Sequence, residues 1–458
     1  MGIQQLVFLV VSAAVFFIAF KKYKQIYRNI FLGKPQIISD HKNERWKNVI
    51  LVAFGQKKMF KNFIPAIFHL FIYVAFLFTQ IELIEILLDG ILGKHRIFAE
   101  MLGGFYTFLL NSIEVLSLLA LVATFVFLYR RNLLKIPRFV KSELNGWPKL
   151  DANLILIGEI FLVTGIFLMN SSDGLLQKMD TSHYPFTGDL VISSVAGSLF
   201  LSDLDINTLQ MLERTGWWLH LFVVYGFILY LPYSKHFHVF LAFPNVYFSR
   251  LEPRGEMENM PAIMNEVKGM FGLPVETTQD GQGDVNMDFG AKDVFDFSWK
   301  TILDAYSCTE CGRCTAVCPA NLTGKKLSPR KILMDIRDRA TEIGDNIDSG
   351  KKEFFSGGEN TGDPEYFRKN YNDGKNLFSY ISREEIHACT TCNACVEACP
   401  VLINPLEPIL ELRRYEILSE SAGPPDWVPM FTAMENGGCV WQMPEEREKW
   451  RTEIGSPS

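Results

Sequence analysis

The stretch CTECGRCTAVCP at residues 308–319 decides the fold of the second half of the chain, because it recurs as CTTCNACVEACP at residues 389–400. Each copy holds four cysteines separated by two, two and three residues, and a proline follows the last one. Eight of the nine cysteines among the 458 residues lie in these two copies. The repeat therefore predicts two equivalent sites within one folded unit.

The cysteine spacing is that of bacterial ferredoxins, whose thiolates bind [4Fe–4S] clusters. In ferredoxins with two clusters, the last cysteine of each run ligates the other cluster. We therefore predict two ligand sets, the first cluster site (Cys308, Cys311, Cys314 and Cys399) and the second cluster site (Cys389, Cys392, Cys395 and Cys318). Disulfides are disfavoured in the reducing cytoplasm, and zinc sites use more widely separated pairs of ligands.

The first half of the chain, residues 1–243, contains five apolar segments long enough to cross a membrane, which takes about 20 helical residues. They lie near residues 3–20, 62–88, 104–128, 152–169 and 216–233, and the fourth is the shortest. This segregation excludes a single soluble globular domain, although the average composition is ordinary, with 48 % hydrophobic and 21 % charged residues. The net charge of −6 argues against a nucleic-acid-binding protein.

Loop charges predict the orientation in the membrane. The stretch 21–62 holds eleven Lys and Arg and the stretch 129–149 holds six, whereas the two remaining loops hold two each. Because basic loops stay in the cytoplasm, we predict a multi-pass protein of the bacterial cytoplasmic (inner) membrane, with the N-terminus outside and the cysteine-rich half inside. Trp217 and Trp218 would then begin the fifth helix at the outer interface. A cleaved signal peptide is disfavoured, because basic residues follow the first segment rather than precede it.

Two histidines are predicted to lie at similar depth near the cytoplasmic face. His69 is close to the start of the second segment, and His238 lies just beyond the fifth. Two facing imidazoles at equal depth suit a haem b iron, and ionisable residues inside a membrane are functional by default. The alternative is a pair of histidines that are hydrogen-bonded within the helical bundle.

The role of His220 depends on the course of the fifth helix. If that helix continued to His238, the two imidazoles would share one face about 27 Å apart, and His236 would point to another face. His220 would then either ligate a second haem, with His95 or His183 of the outer loops opposite it, or contact a quinone.

Four acids lie in or near the apolar segments. Glu114 and Glu159 are predicted to face the bundle interior, either to exchange protons with a quinone or to bind a basic group, a haem propionate or a neighbouring hydroxyl. Glu82 and Glu85 are predicted to reach the outer interface.

The whole chain divides into four parts. We predict a transmembrane domain at 1–243, a connector at 244–296, a ferredoxin-like domain at 297–420 with an insertion at 345–375, and a tail at 421–458 that docks a partner. An amphipathic helix is expected at 327–343, after a Ser-Pro start, and a closing helix at 406–419. The predicted fold is thus an all-α transmembrane five-helix haem-binding bundle, followed by a mostly α-helical cytoplasmic domain with two [4Fe–4S] clusters.

The first half resembles the gamma (cytochrome b) subunit of respiratory nitrate reductase. The resemblance rests on the five helices, on His69, and on His220 and His238 around the LPYSK sequence at 231–235. That family binds two haems b through four histidines, and this implies haem ligation by these three. Thr79 occupies the position of the fourth ligand in this sequence.

The second half resembles the iron–sulfur part of the heterodisulfide reductase D-type family. This family includes membrane-bound electron-transfer-flavoprotein:menaquinone oxidoreductases and an iron–sulfur subunit of anaerobic glycerol-3-phosphate dehydrogenase. The resemblance rests on both cysteine runs, on LSPR at 327–330, and on the tail with MEN at 434–436, Trp441, Arg447 and Trp450. Relatives of this kind continue into CCG domains, so we expect a separate CCG-domain iron–sulfur subunit as a partner.

These resemblances imply a membrane electron-transfer subunit of a quinone-linked oxidoreductase. Electrons would pass between a cytoplasmic dehydrogenase or electron-transfer flavoprotein, through the CCG-domain partner, and menaquinone or ubiquinone. Two [4Fe–4S] clusters and haem b would carry them, and the substrate-side chemistry would reside on another subunit. The alternatives are a quinol-oxidising subunit of a heterodisulfide- or sulfur-reductase-type complex, and a haem-free membrane anchor for a ferredoxin domain.

Overall fold

The computed structural model describes residues 2–257, 259–274, 289–356, 362–440 and 449–450. Part of the predicted connector and much of the predicted docking tail, including Trp441 and Arg447, lie outside the described residues. Within these ranges the protein is mostly helical, and its β pairing is limited to isolated bridges of Lys34 with Ser298 and of Phe355 with Tyr371.

Nine α-helices are described in the first half, and five of them are long and apolar enough to cross a membrane, as predicted. The five long helices are α1 (Ile3–Ile30), α3 (Phe63–Leu92), α5 (Gly104–Asn132), α6 (Trp147–Met179) and α8 (Ile206–Tyr230). The shorter ones are α2 (Lys42–Asn48), which runs into a π-helical turn at Val49–Phe54, α4 (Ile97–Leu102), α7 (Val191–Phe200) and α9 (His238–Tyr247).

The long helices extend further than the apolar segments of the sequence. The fourth, predicted as the shortest, is the longest of the five, with 33 residues. Its ends contain Asp151 and Asp173, which interrupt the apolar run but are buried against polar partners rather than exposed to lipid. The fifth begins ten residues earlier than predicted, so Trp217 lies buried inside α8 against Phe8 and not at the start of the helix.

The fifth long helix does not continue to His238, contrary to the assumption made from the sequence. It ends at Tyr230 and gives way to two 3-10 turns, Leu231–Tyr233 and Lys235–Phe237. Pro232 explains the break, because proline lacks the N–H that the helical ladder requires. The inference that His220 and His238 share one continuous face is therefore wrong.

The second half, from residue 244 onwards, contains ten described α-helices arranged around the two cysteine runs. They are α10 (Pro261–Met270), α11 (Trp299–Tyr306), α12 (Arg313–Ala316), α13 (Pro319–Leu322), α14 (Pro329–Asp348), α15 (Pro364–Asn370), α16 (Arg383–His387), α17 (Ala394–Ala398), α18 (Leu406–Arg414) and α19 (Trp427–Gly437). The predicted Ser-Pro start is confirmed, since the Ser328 hydroxyl accepts the Lys331 N–H at the beginning of α14.

The predicted insertion at 345–375 is partly buried. Phe367 and Tyr371 pack into an apolar cluster with Ile26 and Ile30 of α1. Asp373 of the same segment forms an ion pair of 2.6 Å with Arg339, whose side chain is 1 % exposed. The Gly-, Asn- and Asp-rich composition pointed to a surface segment, but its few aromatic side chains anchor it to the domain.

The two halves of the chain share one apolar core. The end of α1 packs against α14, and the Asn29 side chain donates a 3.2 Å hydrogen bond to the Tyr306 hydroxyl. Gly344 permits this approach, because a Cβ at that position would collide with the Asn29 side chain. Phe237 of the turn before α9 belongs to the same core. The cysteine-rich domain is therefore packed against one end of the helical bundle.

Candidate metal centres

The two cysteine loops have the same backbone conformation. Glu310 and Thr391, each two residues after the first cysteine of its run, have left-handed φ values of 53° and 54°. The residues that follow the second cysteine, Gly312 and Asn393, are also left-handed, at 70° and 60°. Glycine and asparagine tolerate this conformation better than other residues. The internal repeat of the sequence is therefore an internal repeat of structure.

The thiols come together in the two predicted groups. Burial raises the pKa of the Cys399 thiol to about 12, and the neighbouring thiols of Cys311 and Cys308 raise it further. Burial likewise raises the pKa of Cys395 to about 12, with contributions from Cys389, Cys318 and Cys392 of the second group. The last cysteine of each run thus lies beside the first three of the other run.

The chemistry of both thiol groups fits iron–sulfur clusters. All nine cysteines are free. Buried thiols with raised pKa values give up their protons to a bound metal, because the metal stabilises the thiolate. Backbone N–H groups point at the sulfurs, from Thr391 to Cys389 at 3.4 Å and from Ile403 to Cys399 at 3.3 Å. Such hydrogen bonds are one of the means by which a protein tunes a cluster.

The first cluster site faces the helical bundle. Its loop residue Glu310 forms an ion pair with Lys235, which begins the second of the two 3-10 turns that follow α8. Arg330, which is fully buried beside Gly312, binds Glu143 at 2.7 Å in the loop between α5 and α6. At the second cluster site, Cys392 is exposed.

Three histidines gather at the end of the bundle next to the first cluster site. The imidazoles of His69 and His238 are close enough to interact electrostatically, and the imidazole of His236 interacts with both. The rings of His236 and His238 are 5.9 Å apart between centroids. The prediction that His236 points away is wrong, because it assumed a continuous helical phase past Pro232.

The hydrogen bonds of His69 and His238 fit haem ligation. Nδ1 of His69 lies 3.1 Å from Oε1 of Gln56, and Nδ1 of His238 lies 3.0 Å from the Lys235 carbonyl oxygen. An N–H donated through Nδ1 fixes the tautomer and leaves Nε2 for a metal. Gln56 was not identified from the sequence, because its loop carries no recognised motif.

No second histidine faces His220 among the described residues. Nδ1 of His220 lies 3.2 Å from the Leu162 carbonyl oxygen. His95 binds Asp173 at 2.8 Å, and His183 is exposed and binds Asp180. The two outer-loop histidines considered as partners are therefore engaged elsewhere.

The acids of the bundle have different environments. Glu114 accepts hydrogen bonds from the backbone N–H groups of Ile192 and Ser193, at 2.9 and 3.2 Å, and from the Ser193 hydroxyl. These groups form the start of α7, so Glu114 caps a helix and binds a neighbouring hydroxyl. Glu159 on α6 has no hydrogen-bonding or charged partner in the described ranges.

Glu82 and Glu85 do not reach the interface as predicted, since each is only 2 % exposed. They belong to a buried polar network at the end of the bundle that lies away from the cysteine domain. Arg96 of this network binds Asp173 at 3.2 Å, and Tyr106 donates a 2.7 Å hydrogen bond to Glu85. The pairing of Arg96 with these acids offsets the cost of burying them.

Comparison with known proteins agrees with the cysteine geometry. Residues 307–403 match the family model of the 4Fe-4S dicluster domain. This segment is a 4Fe–4S dicluster domain. The match covers both cysteine runs and supports iron–sulfur clusters. No solved structure matches the chain.

Curated relatives extend the comparison to the whole chain. It is 28 % identical over 463 residues to "Probable iron-sulfur-binding oxidoreductase FadF" of Bacillus subtilis, covering 98 % of this chain and 61 % of that protein. It is 25 % identical over 447 residues to "EtfAB:quinone oxidoreductase" of Syntrophomonas wolfei, covering 95 % of this chain and 57 % of the relative. The chain thus spans about three fifths of the length of both relatives.

A third relative matches one part of the chain. It is named "Probable membrane-anchored ferredoxin", from Chromohalobacter salexigens, and is 30 % identical over 203 residues, which cover 43 % of this chain and 29 % of that protein. Together with the five apolar helices, this similarity supports a membrane protein. The relatives as a group indicate an iron–sulfur electron-transfer oxidoreductase.

Proposed function

We propose that this protein passes electrons between a soluble electron-transfer flavoprotein or dehydrogenase and the membrane quinone pool. Two [4Fe–4S] clusters, at the first and second cluster sites, and one haem b between His69 and His238 supply the one-electron carriers. The proposal is carried by one observation. Gln56, which contacts His69, and Lys58 belong to the same loop before α3. That loop also contacts the first cluster site, since Arg313, which lies between Cys311 and Cys314, donates a 3.3 Å hydrogen bond to the Lys58 carbonyl oxygen.

The positions of the sites give an order of transfer. The second cluster site is the outer one, because Cys392 is exposed. We take the first cluster site as the inner one, because Arg313 of its loop contacts the loop that holds Gln56 beside His69. Electrons from a soluble donor would enter at the second site, pass to the first, and reach the bundle at His69 and His238.

The donor is proposed to dock at the exposed face beside the second cluster site. Helix α19 lies there, because the Trp427 ring contacts the ring of His387, two residues before Cys389. Val428, Phe431 and Met434 of α19 are exposed. The name of the Syntrophomonas relative supports an electron-transfer flavoprotein as donor. A CCG-type iron–sulfur module, as in the resembling family, would mediate between the two.

The orientation and the quinone step complete the proposal. The basic loops 21–62 and 129–149 lie on the side of the cysteine domain, which supports a cytoplasmic location for that domain. Glu159 is the proposed proton carrier to quinone, because it is a partly buried acid in the bundle without a partner in the described structure. The hydrogen bonds of Glu114 assign it to the cap of α7 instead.

A quinol-oxidising role is the second candidate. Over 154 residues, 33 % of this chain, the sequence is 29 % identical to a subunit of the ferredoxin:CoB-CoM heterodisulfide reductase of Methanosarcina mazei, and the match covers 71 % of that relative. In that case the same carriers would conduct electrons from quinol to a soluble acceptor. Midpoint potentials of the haem and the clusters decide the direction.

The test is an optical and EPR study of the protein purified from its native membranes. We expect reduced b-type haem bands and two reduced-cluster signals. The bands should vanish in His69→Ala and His238→Ala but persist in the control His183→Ala, whose ring is exposed. Loss of the clusters from all variants would indicate unfolding. A protein with clusters but no haem would refute the haem route and support the anchor alternative.

A further inference from the structure

A groove lies between the helical bundle and the cysteine-rich domain, and we call it the basic groove. Residues of the loop 55–62 and of the segment 250–254 after α9 line two of its sides, and residues of 393–404 in the second cysteine run line the third. Its volume is about 630 Å³, within the range of small-molecule sites in proteins. Lys61 of its lining lies two residues before Phe63, where α3 begins, so the groove lies at the end of a membrane-spanning helix.

Ion pairs join the sides of the basic groove. Glu397 of the cysteine-rich domain is shared by two cations, Lys61 of the loop before α3 and Arg254 of the segment after α9. Arg250 forms an ion pair of 3.3 Å with Glu252. These contacts leave two carboxylates facing three cations.

Lys57 and Lys58 add further positive charge to the lining. Neither forms an ion pair with a carboxylate in the part of the chain that the structure describes, and the remaining acid of the lining, Glu44, is exposed and also unpaired there. Five cations thus line the groove with three carboxylates, which leaves an excess of two positive charges. A basic pocket at the cytoplasmic end of membrane helices is a typical site for an anionic lipid headgroup.

Exposed apolar side chains lie next to the basic groove. Ile50, Leu51 and Phe54 of the π-helical turn are exposed, and so is Phe63 at the start of α3. The Lys57 N–H donates a 3.1 Å hydrogen bond to the Leu51 carbonyl oxygen, so the basic loop and the apolar turn adjoin. At a membrane interface, an apolar face of this kind contacts acyl chains and the neighbouring cations contact headgroups.

Backbone contacts hold the sides of the groove in place. Arg45, which is 3 % exposed, donates hydrogen bonds to the carbonyl oxygens of Tyr247 and Ser249 at 3.1 and 2.7 Å and so joins α2 to the segment after α9. Arg313 donates to the Lys58 carbonyl oxygen at 3.3 Å. The sides are therefore positioned before a ligand binds, which lowers the entropy cost of binding.

We propose that the basic groove binds the phosphate of an anionic phospholipid, whose acyl chains lie against the apolar turn at Val49–Phe54. A free phosphate would match the cations but would leave the apolar turn uncovered, whereas a phospholipid accounts for both features. This inference goes beyond the proposed function and does not depend on haem or quinone. A lipid bound there would link the loop before α3 and the second cysteine run to the membrane surface.

The test is native mass spectrometry of the full chain in detergent micelles, titrated with phosphatidylglycerol. Phosphatidylcholine serves as a lipid without net charge, and glycerophosphoglycerol is the anionic headgroup without acyl chains. The double variant Lys57→Gln/Lys58→Gln removes two cations from the groove. Lys42→Gln/Lys47→Gln is the matched control, because it removes two exposed lysines of α2 that do not line the groove. Lys57→Arg/Lys58→Arg keeps both charges and serves as the rescue variant.

A cation near an anionic headgroup contributes a factor of about five in affinity. We therefore expect the Kd for phosphatidylglycerol to rise about 30-fold in Lys57→Gln/Lys58→Gln and to stay near the original value in the matched control and the rescue variant. Phosphatidylcholine and glycerophosphoglycerol should both bind the unaltered protein more weakly than phosphatidylglycerol. If the double variant does not fold, Arg254→Gln decides the question with an expected rise of about fivefold, because Glu397 keeps Lys61 as a partner.

Three results would overturn the inference. Equal losses in Lys57→Gln/Lys58→Gln and its matched control would indicate diffuse attraction to surface charge instead of a site. Equal affinities for the two lipids would exclude recognition of the anionic headgroup. Binding of glycerophosphoglycerol as tightly as phosphatidylglycerol would indicate a site for a soluble phosphate ester and not for a lipid.

Discussion

Replacing Gln56 by Met tests whether Gln56 orients His69 for the proposed haem. The Gln56 Oε1 atom lies 3.1 Å from Nδ1 of His69, and Gln56 is buried, with 6 % of its surface exposed. Gln56 also has a left-handed φ of 49°, and unbranched Met tolerates it as Gln does. The substitution therefore removes the hydrogen bond and leaves volume and backbone nearly unchanged.

The expected loss follows from the role of that bond. A hydrogen bond of this kind contributes about 1 kcal/mol to stability. When it orients a metal ligand, its loss typically lowers metal affinity about 10- to 100-fold, which is about 1.4 to 2.8 kcal/mol. We therefore expect haem to leave Gln56→Met about 10 to 100 times faster than it leaves the unaltered protein.

The assay is transfer of haem to an excess of apomyoglobin, followed by the Soret band. Gln80→Met is the control, because in the described part of the structure the Gln80 amide binds the Phe76 carbonyl of its own helix, at 2.9 Å. Equal transfer rates in Gln56→Met and the unaltered protein would refute the argument that Gln56 orients His69. Faster transfer in the control as well would show a general effect of a Gln→Met substitution rather than the loss of this hydrogen bond.

Three further outcomes are expected. Glu159→Gln should slow quinone reduction while haem and clusters remain reducible by dithionite, and equal quinone kinetics in this variant and the unaltered protein would contradict the assignment of Glu159. Glu114→Gln should instead lower the thermal stability of the bundle, since the cap of α7 loses its negative charge. Arg339→Met should destabilise the cysteine-rich domain by about 3–5 kcal/mol, because it leaves two buried carboxylates unpaired; a melting temperature within error of the original would speak against it. Gly344→Ala should cost about 1–3 kcal/mol by overpacking α1 against α14, and limited proteolysis would then cleave between the two halves more readily, unlike in the control Gly437→Ala, where an added Cβ meets open space.

The cysteine-rich site could be predicted well because its geometry is local. The spacing of each run fixes three thiols on one loop, and the repeat indicates where the fourth comes from. The structure brings Cys399 beside Cys311 and Cys395 beside Cys318, as the sequence predicts. Iron ligation itself stays a prediction.

The helix ends and the inner histidines could be predicted only in part. The predicted fourth segment was shorter than α6 because Asp151 and Asp173 interrupt its apolar run. A hydropathy argument cannot distinguish a buried, paired acid from an exposed one. His236 was misplaced because one proline changed the helical phase. The first error arises from contacts between residues that are distant in sequence, and the second from a local break of the helix at Pro232.

The network around Arg96 shows the same limit. Asp173, the partner of Arg96, lies 77 residues further along the chain. The sequence around either residue does not indicate that the two form a pair. Glu82 and Glu85 therefore looked like residues of the membrane surface.

The packing of α1 into the cysteine-rich domain has a kinetic consequence. Ile26 and Ile30 share a core with Ile343 and Phe367, so the two halves are held in a fixed relation where they meet. Under the proposed function, this packing would keep the distance between the first cluster site and the histidines constant. The rate of the proposed reaction would then depend on the arrival and departure of the soluble partner, and so on partner concentration and ionic strength.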